Sequence, residues 1–303
     1  MSRYWTCVWL VLSLIAGTIA ASTAARAQDD TTQIVFLAGP KDHGFPGRHE
    51  YEKDLRVLAE ALEHAPNLDN IETRVYVGMA PRDLNELADA DVFVINSSSD
   101  RLESETHPLF PPDPLTPHRG YDDETTAWLE AFDALVKSGR GVVILHYATW
   151  AENWDARGYY LDWTGGLWVQ MASRNPTDQW QMQPVNQTHP ILRGVQAWNY
   201  RDEVFSRFFL PNDHRRTDLL IGTPEQDRFS MGPQVVAWAY QRDDGGRGFV
   251  FGGVDYHDNM LIEDYRQFML NGIVWAAGRE VPAGGVRSET PTGIEPYVAP
   301  QRR

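Results

Sequence analysis

Histidines stand at the ends of three apolar segments that read as buried β-strands. His43 follows the first of these segments, His146 ends the fourth and His257 follows the last. Histidine titrates near neutral pH, so each ring could serve as a general acid or base, and neutral imidazole also binds divalent metals. Since the carboxyl ends of parallel strands meet at one edge of a sheet, we expect the three rings to share one crevice.

Further polar residues accompany these histidines. His49 and Glu50 lie beyond the first of them, Tyr147 follows the second and Asn259 lies beyond the third. For any single ring, the alternative is a core histidine that is hydrogen-bonded to the backbone. No H-E-x-x-H pair occurs, and the spacing alone therefore assigns no metal ligand.

The segments that must position these residues alternate between apolar strands and amphipathic helices. Strands are predicted over residues 33–38, 71–77, 91–96 and 141–146, and helices over residues 50–64, 82–87 and 122–138. Near-continuous apolar strands separated by helices are typical of a doubly wound, mostly parallel α/β sheet that is covered on both faces.

From about residue 150 the pattern changes to shorter strands, most of which alternate in polarity. They are predicted over residues 179–185, 202–209, 218–222 and 234–241, before a last apolar strand over 248–254 and a helix over 261–277. We therefore expect a β-rich elaboration over residues 150–245 of the same α/β domain.

The first 27 residues have the three parts of a secretory signal peptide. Arg3 precedes an apolar run over residues 9–20, and small residues lead to an A-x-A site that ends at Ala27. The apolar run is shorter than the roughly 20 residues of a membrane-spanning helix. We expect cleavage near Ala27, export to the periplasm or the medium, and no membrane span in the mature chain.

Charge and cysteine content exclude several classes of function. Cleavage removes Arg3 and Arg26, which leaves 25 of the 27 basic residues against 42 acidic ones, a net charge of −17. Such a surface repels nucleic acids and anionic lipids, and a small neutral or cationic substrate suits it better. The only cysteine, Cys7, lies in the signal peptide, so the mature chain has no thiol chemistry. No phosphate-binding loop, G-x-G-x-x-G or G-x-S-x-G motif supports a nucleotide cofactor or a serine elbow.

Aromatic residues are concentrated in the second half of the chain. Trp150, Trp163 and Trp168 belong to a set of eleven tryptophans. Aromatic rings pack against the C–H faces of sugars, and they also fill protein cores. Core packing is the alternative for each of them, but as a group they are compatible with a carbohydrate site.

Several stretches, taken in order, resemble one known family. GPKDHGFPGRHEYE, VVILHYATW, LDWTGG, RDEVF and YHDNMLIEDYRQF resemble the ThuA-like (trehalose utilisation) family, and the resemblance runs from about residue 33 to residue 286. It implies a flavodoxin-like fold of the class I glutamine amidotransferase type and a role in the metabolism of trehalose, related disaccharides and their 3-keto forms. In that fold a nucleophilic cysteine occupies the turn that corresponds to His146. Without a cysteine there, thiol-dependent glutamine hydrolysis is excluded.

The resemblance also adds Asp202 and Glu203 to the polar residues of the site. The predicted catalytic groups are then His43, His146, His257, Glu50 and Glu203. The predicted substrate-binding residues are His49, Tyr147, Trp163, Asp202 and Asn259. No cofactor is required by these residues; a divalent metal stays open, with no ligands assigned.

Together these features predict an exported enzyme that acts on a disaccharide or 3-keto sugar by acid–base chemistry. Two alternatives stay open, a non-catalytic sugar-binding protein and a metal-dependent hydrolase of another small substrate. The expected partner is a small carbohydrate and not a nucleic acid, and the sequence does not give the oligomeric state. The expected organisation is a signal peptide over 1–27, one domain over 28–286 and a flexible tail over 287–303.

Overall fold

A computed structural model of the chain describes residues 31–78, 80–98, 123–151 and 154–299. The predicted signal peptide over residues 1–27 lies outside the described residues, and its cleavage and the export of the chain stay predictions. No helix in the described ranges is long and apolar enough to cross a bilayer.

Five parallel strands form the first part of the sheet. They are β1 (Thr32–Ala38), β2 (Ile71–Val77), β3 (Val92–Asn96), β4 (Gly141–Leu145) and β9 (Arg247–Phe251). Their order across the sheet is β2-β1-β3-β4-β9, which is the flavodoxin-like order. The predicted α/β fold class is therefore confirmed.

The sheet continues beyond β9 as an antiparallel extension. It is built from β5 (Thr177–Pro184), β6 (Trp198–Glu203), β7 (Arg216–Pro224) and β8 (Gln234–Gln241), in the order β9-β8-β7-β5-β6. The predicted strand over residues 202–209 is wrong. Its first two residues close β6, and Arg207, at a φ of 51°, interrupts the extended backbone after it.

Helices cover both faces of the sheet. They are α1 (Tyr51–Glu63), α2 (Asp123–Lys137), α3 (Trp154–Thr164) and α4 (Glu263–Ala276). The predicted helix over residues 82–87 is a single 3₁₀ turn, Leu84–Leu87, and α3 was not predicted.

The side chains of β1 show how the two faces are divided. Ile34 and Phe36 enter the core that contains the apolar residues of α1 and α4, whereas Val35 and Leu37 enter the core of α2 and α3. Successive strand residues point to opposite faces, so each face buries its own apolar set. Because both faces of the sheet are covered by helices, a site can form at the carboxyl ends of the strands, where polar residues follow.

Candidate functional site

The loop after β1 is held by its own charged side chains. Lys41 Nζ donates to Glu50 Oε1 at 2.9 Å and to the Arg48 carbonyl oxygen, and the Gly47 amide donates to the same Glu50 oxygen at 2.8 Å. Burial raises the pKa of Glu50, but the hydrogen bonds from the Gly47 amide, Lys53 and Lys41 outweigh this effect and lower the pKa to about 2. The Glu50 carboxylate thus holds this loop together through hydrogen bonds, and it does not line the cavity described below.

His43 projects from this loop with one ring nitrogen engaged. Its Nδ1 lies 2.6 Å from Asp42 Oδ1, and the Ser98 hydroxyl donates to the other oxygen of the same carboxylate. Burial raises the pKa of Asp42, but these two hydrogen bonds outweigh it, and the pKa is lowered. An ionised Asp42 fixes the hydrogen on Nδ1, so the lone pair of the neutral ring is on Nε2.

The ring of His49 lies close to the rings of both His43 and His146. The ring centroids of His43 and His49 are 4.0 Å apart, and those of His49 and His146 are 5.2 Å apart. His49 and His146, which are both buried, have a φ of 51°, a backbone conformation that residues other than glycine rarely adopt. Burial lowers the pKa of His146 to about 3 and also lowers that of His49, which the neighbouring histidines lower further. Both rings are therefore neutral at pH 7.

Arg48 joins two carboxylates at this place. Its Nη2 lies 2.6 Å from Glu203 Oε2, and its Nε donates to Asp255 Oδ2 at 2.7 Å. Burial and the Asp255 charge raise the pKa of Glu203 to about 7, against the opposing effect of Arg48. Neither Arg48 nor Asp255 was predicted as a site residue, although Arg48 lies between the two histidines of the first loop and Asp255 follows β9.

Asp202 holds the backbone on which Asp255 lies, and its own side chain is fully buried. Its carboxylate accepts the backbone N–H groups of Val254, Asp255 and Tyr256 at 3.0, 3.2 and 3.1 Å. These bonds hold the turn after β9, in which Val254 has a φ of 98°. The predicted substrate contact of Asp202 is therefore corrected to the positioning of Asp255.

The structure places three other predicted site residues away from the cavity. His257 turns to α1, where its Nδ1 lies 2.6 Å from Asp54 Oδ1, and it does not join the other two histidines. Trp163 is a core residue whose indole donates to Asp133, and Asn259 donates to the carbonyl of Arg201. Their side chains are directed inward because each finds a hydrogen-bond partner within the fold.

A cavity of about 630 Å³ is lined by part of this site, whereas His146 and Asp255 are not in its lining. His43, His49, Arg48 and Glu203 supply its polar wall. The aromatic wall of the cavity is made by Tyr147, Trp150, Trp168 and Phe205. A few convergent polar groups beside an apolar wall, at the carboxyl edge of a parallel sheet, are typical of a small-molecule site.

Four groups, of which His49 and Glu203 also line the cavity, could hold a metal ion. His49, His146, Glu203 and Asp255 each offer one nitrogen or oxygen, and these four atoms lie within 4.8 Å of one another. The set joins two imidazoles to two carboxylates, the donors that divalent transition metals accept.

The Asp54–His257 pair predicts a pH-dependent stability. Burial raises the pKa of Asp54 from 3.8 to about 6, as do Glu50 and Asp255, while His257 opposes the shift. The carboxyl of Asp54 thus binds a proton more tightly in the folded chain than in the unfolded one. Its contribution to stability is fully present below pH 4 and is lost as the pH rises to 6. The difference between 3.8 and about 6 corresponds to about 3 kcal/mol at 1.36 kcal/mol per pKa unit.

The variant Asp54→Asn should lack this pH dependence while keeping an oxygen that can accept from His257. Urea unfolding of both proteins at pH 4, 5, 6 and 7 measures the difference. The free energy of unfolding of the natural chain should fall relative to the variant across this range. Parallel profiles would contradict the assignment.

Comparison with known proteins agrees with this architecture. The sequence model of the ThuA family, described as trehalose utilisation, matches residues 82–276. This range includes His146, Glu203 and Asp255 but begins after His43 and His49. No curated protein sequence matches the chain.

Solved structures share the fold at low sequence identity. A ThuA-like protein of Bacteroides uniformis has a TM-score of 0.56 at 10% identity, over 84% of this chain and 94% of that one. A ThuA-like protein of Parabacteroides merdae has a TM-score of 0.52 at 14% identity, over 86% and 98%. A cytoplasmic protein of Salmonella typhimurium has a TM-score of 0.50 at 12% identity, over 81% and 98%. With a family match over more than half of its length, the chain belongs to the ThuA family.

Proposed function

We propose that this protein is an enzyme that binds a small carbohydrate in the cavity and transforms it by acid–base chemistry. The observation that carries the proposal is His43, whose Nδ1 is held by Asp42 and whose ring lines the cavity. The substrate class is a trehalose-type disaccharide or its 3-keto form. The family description supports that class, and so does the aromatic wall.

The proposed step is the removal of a proton from the carbon beside a keto group. His43 Nε2 takes the proton, the C–H electron pair moves toward the carbonyl oxygen, and the resulting imidazolium is stabilised by Asp42. Return of the proton to a neighbouring position gives isomerisation, and loss of a group from the adjacent carbon gives elimination. Both outcomes balance without a redox cofactor.

The aromatic wall supplies the affinity in this proposal. Trp150, Trp168 and Tyr147 present large apolar surfaces that suit the C–H faces of a sugar ring. The cavity volume of about 630 Å³ lies in the range of small-molecule sites. A net negative charge on the chain also favours an uncharged ligand over a phosphorylated one.

We propose in addition that the chain is exported before it acts. The charged start, the apolar run and the A-x-A site at residues 25–27 support this. N-terminal sequencing of the protein recovered from the producing cell tests it. A mature chain that begins near residue 28 is expected, and an intact N-terminus on cytosolic protein would contradict export.

Product analysis and calorimetry test the function together. The purified chain is incubated with trehalose, related disaccharides and their 3-keto forms, and the mixtures are followed by NMR. A new sugar product is expected with at least one of them. Heat of binding without any product after long incubation would favour the non-catalytic sugar-binding protein, and neither heat nor product would overturn the carbohydrate assignment.

The variant Asp42→Asn tests how His43 is oriented. The amide cannot act as a carboxylate partner for Nδ1–H, so a larger share of the rings takes the wrong tautomer, and we expect kcat to fall about 10- to 100-fold. KM should change little, since Asp42 does not line the cavity. Steady-state kinetics measure both, and Ser98→Ala provides a graded comparison with a smaller loss. An unchanged kcat in Asp42→Asn would contradict the role of this carboxylate.

A further inference from the structure

Three buried polar atoms of the four candidate metal ligands lack a hydrogen-bond partner in the part of the chain that the structure describes. They are His49 Nδ1, His146 Nε2 and Asp255 Oδ1; the first and the last of these lie 3.3 Å apart but do not have the geometry of a hydrogen bond. Buried polar atoms in folded proteins almost always have a partner, and an exception points to a missing water or ion. All three belong to the same group of side chains, although they come from loops after three different strands.

The hydrogen bonds of His146 show which kind of partner is missing. Its Nδ1 lies 3.3 Å from the carbonyl oxygen of Gly252, which can only accept, so the ring hydrogen is on Nδ1. Nε2 therefore carries a lone pair. The side chain is fully buried, with the rings of His49 and Phe205 beside it, and no hydrogen-bond partner for Nε2 lies among the described residues. A metal ion or a hydrogen-bond donor would satisfy this lone pair.

The spacing of the four groups suits one ion. Two donors bound at about 2.1 Å to the same metal lie at most about 4.2 Å apart. The ion can bind only one of the two ring nitrogens of His49; Nδ1 lies 3.3 Å from Asp255 Oδ1, and Nε2 lies 4.0 Å from Glu203 Oε2. All four donor atoms lie within 4.8 Å of one another, so closing by a few tenths of an ångström completes the set.

Charge also favours a cation at this place. When Glu203 and Asp255 are both ionised, they carry two negative charges against the single positive charge of Arg48, which binds both of them. A buried charge without a partner is costly, and a divalent ion would supply the missing positive charge. Arg48 and Asn175 already hold the carboxylates by hydrogen bonds, as outer-shell groups do around metal sites.

We propose that His49, His146, Glu203 and Asp255 bind one divalent transition-metal ion. Two imidazole nitrogens favour Zn²⁺, Mn²⁺, Fe²⁺ or Co²⁺ over Ca²⁺ and Mg²⁺, which prefer ligand sets made of oxygen. The site goes beyond the carbohydrate proposal and is tested without any sugar.

The test measures metal affinity on the full chain after treatment with a chelator. Zn²⁺ is titrated by calorimetry, and Co²⁺ is followed through its visible absorption bands. One ion per chain is expected. His146→Ala and Glu203→Gln should each weaken binding by at least about 100-fold, because loss of an outer-shell group alone costs 10- to 100-fold.

His214→Ala is the matched control. It removes one imidazole whose side chain is 95% exposed and lies outside the cluster, so it should bind Zn²⁺ as the natural chain does. Circular dichroism reports folding. If His146→Ala fails to fold, Glu203→Gln, at a side chain that is 16% exposed, decides the question.

Two results would overturn the metal site. One is a chelator-treated chain that binds no ion, and the other is undiminished binding by folded Glu203→Gln. A chain that binds no ion yet converts a sugar overturns the metal site alone. A chain that binds the ion and leaves every sugar unchanged supports the metal site and overturns the proposed function alone.

Discussion

Replacing His43 by glutamine should lower kcat on a 3-keto sugar by about 10²- to 10⁴-fold, the range in which a general base contributes. Glutamine keeps a polar side chain of similar reach but cannot take a proton. Because the His43 side chain is 34% exposed at the mouth of the cavity, the fold should tolerate the change. Steady-state kinetics measure kcat, and thermal unfolding checks that the melting temperature is retained.

His257→Gln is the informative comparison for this variant. His257 occupies an equivalent place after a strand, yet it contacts Asp54 and not the cavity. Its substitution should affect stability more than turnover. If His257→Gln lost turnover while His43→Gln kept it, the arrangement of the site described above would be wrong.

Replacing Arg48 by methionine should destabilise the fold by about 3–5 kcal/mol, the cost of removing one partner from a buried ion pair. Methionine retains much of the side-chain length, so the loss of charge is the main change. Asp255, which is fully buried, and Glu203 would both lose the guanidinium that they share. Urea unfolding at pH 7 measures the difference.

Arg56→Met is the matched control for that substitution. Arg56 pairs with Glu52 on the exposed face of α1, and such a pair contributes about 0.3–0.5 kcal/mol. A second comparison combines Arg48→Met with Asp255→Asn. Because the residues interact directly, the double variant should lose less than the sum of the single losses. A loss in Arg48→Met no larger than that in Arg56→Met would contradict the buried ion pair.

The parallel part of the sheet could be predicted closely because its strands are buried on both faces. β2 was predicted with its observed bounds, and β1, β3 and β4 lie within one residue of the predicted ends. Such strands are continuous apolar runs that stop at turn residues, so their ends are visible in the sequence. The positions of His43 and His146 at one edge followed from that pattern.

The direction of side chains beyond a strand end could not be predicted in the same way. The turn after β9 reverses at Val254, with its φ of 98°, so that Asp255 enters the site and His257 leaves it. That conformation is imposed by the three N–H groups bound to Asp202, a contact across the fold. No local pattern of residues contains this information.

The aromatic region was harder for a related reason. Trp163 and Trp168 are both buried tryptophans in the same part of the chain, but Trp163 packs in a core and Trp168 lines the cavity. Composition predicts that such residues are enclosed and does not distinguish a core from a binding wall. α3, which carries Trp163, lacks a clear apolar stripe and was missed for that reason.

Hydrogen exchange at the sugar is the most direct measurement of the central claim, that His43 removes a proton from a bound carbohydrate. A 3-keto disaccharide is incubated in D2O with the natural chain, with His43→Gln and with no protein, and deuterium at the carbons beside the keto group is followed by NMR. The natural chain should incorporate deuterium well above the protein-free rate, and His43→Gln should fall to that rate. Equal incorporation by the natural chain and by folded His43→Gln would contradict the claim.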